Sequence, residues 1–297
     1  MVGRSSLSNR VIDGTILTVL IVFTLVCLIP LLHTVAVSFS DKTAADAGRV
    51  LLTPIKSTTA SYSKVLDDGQ FFNAFFISIK RVVFGGLLNF ALNIMMAYAL
   101  SKDAKQFPMR NVYMWFLVFT MLFSGGIVPW FMTIKSYGLL DSMWALILPQ
   151  AVQVFNVILL MNFFRNLPKE LSEAAEIDGA GPWYIMVRLF VPLSLPAIAT
   201  VTLFSIVFHW NSFFDGLILM NKQDHYPLQT YIQTLVAQLS VQAMTSMSPD
   251  QLAQAMAVSN RTFNAAKIII SMIPIMLIYP FIQRFFIHGI TLGSVKE

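Results

Sequence analysis

Glu170, Glu173, Glu176 and Asp178 stand close together in ELSEAAEIDGAG, residues 170–181, and they are the densest set of acidic side chains in the sequence. Nothing around them equips them for acid–base or nucleophilic chemistry. The histidines His33, His209, His225 and His288 are far apart, so no Cys/His metal set is readable from spacing. Cys27 is the one cysteine and lies in an apolar run, which excludes an intramolecular disulfide. GxSxG and HExxH are absent, against an intramembrane enzyme. GxxxxGK[ST] is absent too, so the chain lacks that phosphate-cradling loop. The chemistry open to this stretch is association. Ala174 and Ala175 let a partner's ridge come close, and Glu173 offers a charge to an Arg or Lys. An amphipathic loop helix resting on the membrane surface explains the same residues equally well.

Local signals place these side chains on a short helix. Pro168 suits a first helical turn, with Asn166 or Leu167 at the cap, and acids in the early turns favour the positive helix end. Asp178-Gly179 stops the helix because glycine accepts the left-handed conformation. Gly181-Pro182 starts a second helix, on which Trp183, Met186, Val187 and Phe190 recur at i, i+3, i+4 and i+7.

The surroundings of this segment are apolar. Of 297 residues, 56% are hydrophobic and 12% charged, with mean hydropathy +0.69; a soluble domain carries about 25% charged residues. Residues 14–40, 82–101, 111–134, 142–164, 189–214 and 268–283 hold no Asp, Glu, Lys or Arg. About 20 apolar residues cross a bilayer core as a helix. The last stretch is short, and Lys267 and Arg284 extend it by snorkelling to the two interfaces. The expected fold class is an all-α membrane protein with six transmembrane helices and both termini on one side. Strand alternation of the kind a membrane barrel needs is absent.

The run after Arg4 and Arg10 is too long for a signal-peptide core and reads as a retained first span. Net charge +5 without a basic run suits anionic lipid and not nucleic acid. With the N-terminus inside, the tails and inner loops (102–110 and 163–188) carry half of the 20 Lys/Arg, so charge alone leaves direction open. The short loop SKDAKQFPMR, with Lys102, Lys105 and Arg110, favours inside. Gly125, Gly126, Pro129, Pro149, Pro192, Pro196, Pro274 and Pro280 lie in or beside spans and read as kinks and close packing. No internal repeat supports an inverted-repeat transporter.

Polar residues inside spans mark either helix–helix hydrogen bonds or a pathway. Asn89 and Asn93 read as the former. Gln153 and Asn156 in the fourth span, with His209, Trp210 and Asn211 in the fifth, are the candidate substrate path: an aromatic platform beside amide hydrogen bonds suits a sugar. Asp215 is placed at that path or at the outer interface. Lys80 and Arg81 read as interfacial snorkelling side chains, with attraction of an anionic sugar as the alternative.

Glu173, Ala174, Ala175 and Gly179, followed by Pro192, resemble the EAA loop of ABC importer permeases, E-A-A-x-x-x-G-x9-I-x-L-P, with Leu189 and Val191 where that pattern has Ile and Leu. GLLDSMWALILPQ (138–150) and FFRNLPKELSEAAEIDGAG (163–181) are similar to carbohydrate importers of the maltose-permease class. FSGGIVPW (123–130) and YPFIQRFFIHGITLGSVKE (279–297) resemble a branch serving complex oligosaccharides, including alginate-type uptake. The resemblance runs from the second span onward. It implies one permease domain, 1–297, in which 166–188 is a cytoplasmic coupling segment. Glu173, Ala174, Ala175, Asp178 and Gly179 would then couple to an ATPase. It further implies a second related permease, an ATPase dimer that binds ATP and Mg, an extracytoplasmic solute-binding protein, and a bacterial inner membrane with both termini cytoplasmic. The C-terminal GSVKE resembles tails that touch the ATPases. The expected function is alternating-access import of an oligosaccharide, with acidic, alginate-type sugars among the candidates. The other reading is an ATP-independent secondary transporter or channel.

Overall fold

The computed structural model describes residues 7–242 and 261–293. Arg4, part of the outer segment 221–265, and Ser294–Glu297 of the expected ATPase-touching tail lie outside the described residues. Regular structure among the described residues is helical. In chain order it runs α1 Leu7–Ser38, α2 Lys42–Asp46, α3 Ala60–Leu66, α4 Gly69–Ser101, α5 Arg110–Leu122, α6 Ile127–Ser136, α7 Met143–Ile147, α8 Val154–Arg165 and α9 Lys169–Ile177. Then follow α10 Pro182–Ile185, α11 Val191–Leu193, α12 Leu195–Asn211, α13 Phe214–Leu219, α14 Leu228–Gln242 and α15 Arg261–Gly293.

Among the described residues, three helices are long and apolar enough to cross a membrane unbroken, within α1, α4 and α15; three bent pairs bring the number to six if each pair is one span. The bends fall where glycine and proline predicted irregularity, but most are breaks and not gentle kinks. α5 and α6 meet at 114°, across a turn in which Gly126 has φ +88, a conformation that costs a residue bearing a Cβ. Met143–Gln150 and α8 meet at 44°, just past Pro149, and Pro182–Leu193 and α12 meet at 87°, at Ser194 between Pro192 and Pro196. Pro274 and Pro280 stay inside α15 without ending it.

The residues group into two compact units, one made of 1–69 with 235–272 and the other of 70–234 with 273–297. In the first, the segment after α1 is built and not a loose loop. Ser40 Oγ donates to Ala36 O at 2.6 Å and accepts from Ile55 N at 3.0 Å. Ala36, Val37, Ala44, Ala45, Val50 and Ala265 are buried together. Lys267 does not snorkel as expected: it is 2% exposed and pairs with Asp68 at 2.6 Å.

In the second unit, α4, α8, residues 185–190 and α12 share one core that includes Ile94, Tyr98, Leu160, Phe164, Phe190 and Ile198. Apolar packing alone does not drive helix association in lipid, where hydrocarbon is the solvent, so buried polar contacts carry much of the specificity. Ser78, Arg81, Gly85, Asn89 and Asn93 follow one another along a buried face of α4. Arg81 is 0% exposed and is not the snorkelling side chain the sequence suggests. It forms an ion pair with Asp215, which settles the place of that carboxylate. Arg81 also donates to Leu146 O at 3.3 Å and Ser212 O at 3.4 Å. Asp215 accepts further from Ser212 Oγ and Gly216 N, both at 2.9 Å. The pair thus ties α4 to α7 and to the turn between α12 and α13, while Lys80 beside it is exposed. An arginine inserted in a span costs about 2.5–3.5 kcal/mol even on the mildest scale, so the partners are needed.

Removing one partner of a buried pair strands the other, at a cost of about 3–5 kcal/mol. Arg81→Met is expected to lower the thermal unfolding midpoint of the detergent-purified protein strongly, and Arg81→Met with Asp215→Leu to recover most of that loss.

Candidate functional site

α9 is built by its ends. Pro168 occupies the cap position itself, in place of the expected Asn166 or Leu167, and no side chain caps the helix. Glu170 sits in the first turn, near the positive end. At the other end Gly179 has φ +81. Ala180 N donates to Ala175 O at 2.9 Å and Gly179 N to Glu176 O at 3.1 Å, the paired bonds of a Schellman turn.

The two alanines meet different surroundings. Ala175, with Ala180, packs against the chain's own core, while Ala174 is exposed. Leu171 and Ile177 are 43% and 87% exposed. Glu173, Asp178 and Gly179 are exposed as well, and Glu173 makes no hydrogen bond or ion pair among the described residues. Beyond Gly181, the expected stripe of Trp183, Met186, Val187 and Phe190 is split. Ile185, Met186 and Phe190 are buried, whereas Trp183 and Val187 are exposed. The reason is a π-turn over Met186–Phe190, in which Val191 N donates to Met186 O. Its wider winding rotates Phe190 onto the side of Ile185 and Met186.

Behind α9 lies a polar cavity of about 160 Å³ whose lining includes Lys102, Asp103, Arg165, Lys169, Glu173 and Glu176. Asp103 and Lys169 pair across it at 2.7 Å with both side chains well exposed, a screened contact of little weight. The hydrogen bond and charge of Lys169 hold Asp103 below its ordinary carboxylate range, and Asp103 raises Lys169 in turn. Lys102 is different. It is half-buried, with Nζ 4.6 Å from the Tyr98 ring centroid and 5.2 Å from that of Phe190. Burial pulls its pKa down, and the charge of Glu176 pulls it back up.

The expected path residues fall into two buried clusters and two outliers. His209 is 1% exposed, and its Nε2–H donates to Asn89 Oδ1 at 2.7 Å. Asn89 Nδ2 donates to Gln150 O at 2.7 Å and Ala151 O at 2.9 Å, carbonyls freed by the break before α8. One turn along α12, Ser205 Oγ donates to Gln153 Oε1 at 2.9 Å. Asn156 Nδ2 donates to Gln153 Oε1 and to Val201 O. Gln153 and Asn156 line a groove of about 520 Å³ together with Phe155, Phe204 and Phe208. Trp210 is buried edge-on to Phe75, with ring centroids 5.7 Å apart, and Asn211 is exposed at the end of α12; neither lines the groove. Asn89 makes the interhelical bonds expected of it, while Asn93 Oδ1 makes none among the described residues.

Sequence reasoning overlooked the phenylalanines of the groove and Lys102. Among 25 Phe no single one stands out. Phe204 and Phe208 are a helical turn apart, and that spacing beside polar Ser205 and His209 is the signal that was present.

Residues 1–292 match the family described as "Binding-protein-dependent transport system inner membrane component". The "Polygalacturonan/rhamnogalacturonan transport system permease protein YtcP" of Bacillus subtilis is 37% identical over 98% of this chain and 100% of its own length. A solved chain from a bacterial ABC transporter involved in the import of the acidic polysaccharide alginate aligns with TM-score 0.84 and 30% identity, covering 96% of this chain and 99% of that one. A chain of a bacterial alginate ABC transporter in complex with an alginate pentasaccharide-bound periplasmic protein shares the fold, with TM-score 0.58, 16% identity and 93% coverage of both chains.

Gly85 gives the His209 cluster its room. A β-carbon there would meet His209 Nε2 at 2.6 Å, whereas one on Gly86 would meet nothing within 4 Å. Gly85→Ala is expected to displace the imidazole, break its bond to Asn89 and cost about 1–3 kcal/mol. Gly86→Ala should stay within about 0.5 kcal/mol of wild type; thermal unfolding of both variants checks the contrast.

Proposed function

Since the chain belongs to the family of binding-protein-dependent transport system inner membrane components, we propose that it is the membrane-spanning half of an importer for an acidic oligosaccharide, driven through α9 by a separate ATPase. Membership makes it a permease of an ABC transport system and not an enzyme, and replaces the ATP-independent alternative.

The observation that carries the coupling role is the two-sidedness of α9. Its inner side, through Ala175, is seated on the chain's own core. Its outer side presents Leu171, Ala174 and Ile177, with Glu173 exposed at the edge shared with the polar cavity. An exposed apolar set rimmed by charge marks a surface for another protein. In this reading α9 and both termini are cytoplasmic, and the partner ATPase dimer binds ATP and Mg. A second permease completes the pathway, and a solute-binding protein delivers the sugar from outside. The cycle requires that ATP binding favour the outward-facing state over the inward-facing one, since a ligand shifts only an equilibrium it binds unequally.

The groove supports the sugar class. Phe155, Phe204 and Phe208 line it with aromatic surface suited to the apolar side of a pyranose, and Gln153 brings an amide to the same lining. Acidity is inferred from the relatives, one named for polygalacturonan and rhamnogalacturonan and the other for the acidic polysaccharide alginate.

Purified gently, the chain is expected to bring down an ATPase, and uptake by the chain alone refutes the reading. Gly179→Pro cannot adopt φ +81, and Glu173→Lys reverses the outward charge. Each is expected to cut uptake about tenfold or more, the equivalent of about 1.4 kcal/mol of coupling, while the chain stays inserted. Unchanged uptake in both removes the coupling role.

A further inference from the structure

Lys102 sits where three parts of the second unit meet. It follows the last residue of α4 directly. Its ammonium lies over Tyr98, from α4, and Phe190, from the π-turn that leads out of the α9 segment. Those two rings contact each other edge-on at 5.0 Å, and Phe164, at the end of α8, packs edge-on to Phe190 at 5.4 Å. Lys102 closes no ion pair or hydrogen bond among the described residues, although Glu176 of α9 is near enough for its charge to act on it. A cation over two aromatic faces, partly withdrawn from water, is held by the ring quadrupoles. The Asp103–Lys169 pair beside it is exposed and screened, so it is the weaker tie. The helix that Lys102 terminates carries Arg81 and Asn89, whose partners lie at the breaks before α8 and after α12.

We infer that Lys102 is a positioning residue for transport: its ammonium clamps the segment that follows the coupling helix to the inner end of α4, so that movement of α9 reaches the helix break before α8, which borders the groove. The inference rests on the coupling role of α9 proposed above. Lys102→Met tests it, because it keeps the stem and the bulk and removes only the charge. The readout is the solvent accessibility of a spin label at Phe208→Cys, in a Cys27→Ser background, in the reconstituted complex before and after ATP–Mg with vanadate. This needs no knowledge of the sugar. With Lys102 present, ATP is expected to change the label's accessibility. In Lys102→Met the change should shrink about three- to fivefold, the size of one cation–π contact, with ATPase still co-purifying and still hydrolysing ATP. Lys102→Arg, which keeps a cation over the rings, should restore it.

A full response in Lys102→Met beside a lost response in Gly179→Pro overturns the clamp and leaves the coupling role standing. A full response in Gly179→Pro overturns both. Failure of Lys102→Arg to rescue, or loss of the ATPase from Lys102→Met, assigns the residue to stability and likewise overturns the clamp.

Discussion

A polar side chain or a freed carbonyl inside a bilayer has no water to turn to, and its partner must come from the protein. The buried face of α4 meets that demand for the second unit. Arg81 joins Asp215, Leu146 O and Ser212 O, while Asn89 joins His209, Gln150 O and Ala151 O. Each set closes a place where a membrane helix stops and restarts. The break before α8 and the turn after α12 thus take hydrogen bonds for their carbonyls from one unbroken helix. Gly85, between the two sets, is the small residue that lets the imidazole of His209 approach.

The same unit solves a different problem at its charged end. A nine-residue helix of Lys169–Ile177 is too short to be stable alone. It is held by its Schellman turn, by Ala175 and Ala180 against the core, and by the aromatic contacts of Phe190 just beyond it. That one-sided attachment leaves Ala174, Leu171 and Ile177 exposed, with Glu173 exposed at the edge of the polar cavity. The coupling role proposed for α9 needs this asymmetry: firm on its own side and open to a partner on the other.

Much was legible in the sequence because it depends on local chemistry. Uncharged stretches of about 20 residues locate spans through the cost of charge in lipid. Asp178-Gly179 and Gly181-Pro182 mark the end of one helix and the start of the next through backbone geometry. Gly126, Pro149 and Pro192 lie at real breaks for the same reason. The register beyond Gly181 departs from the 3.6-residue period of its apolar residues because the π-turn over Met186–Phe190 winds more widely.

What only the tertiary structure decided is which distant groups meet. Arg81 and Asp215 are 134 residues apart in the chain, and Asn89 and His209 are 120 apart. Next to Lys80, Arg81 reads as an interfacial cation; its burial follows from the face of α4 it occupies and from an acid delivered by another helix. The ring faces at the groove are likewise set by Phe155 and Phe204 arriving from two helices, while the more conspicuous Trp210 turns to Phe75. By itself the sequence determined where helices form and stop, since those choices rest on residues a few positions apart. Partnership across the bilayer depends on how the helices pack, and no short-range pattern encodes it.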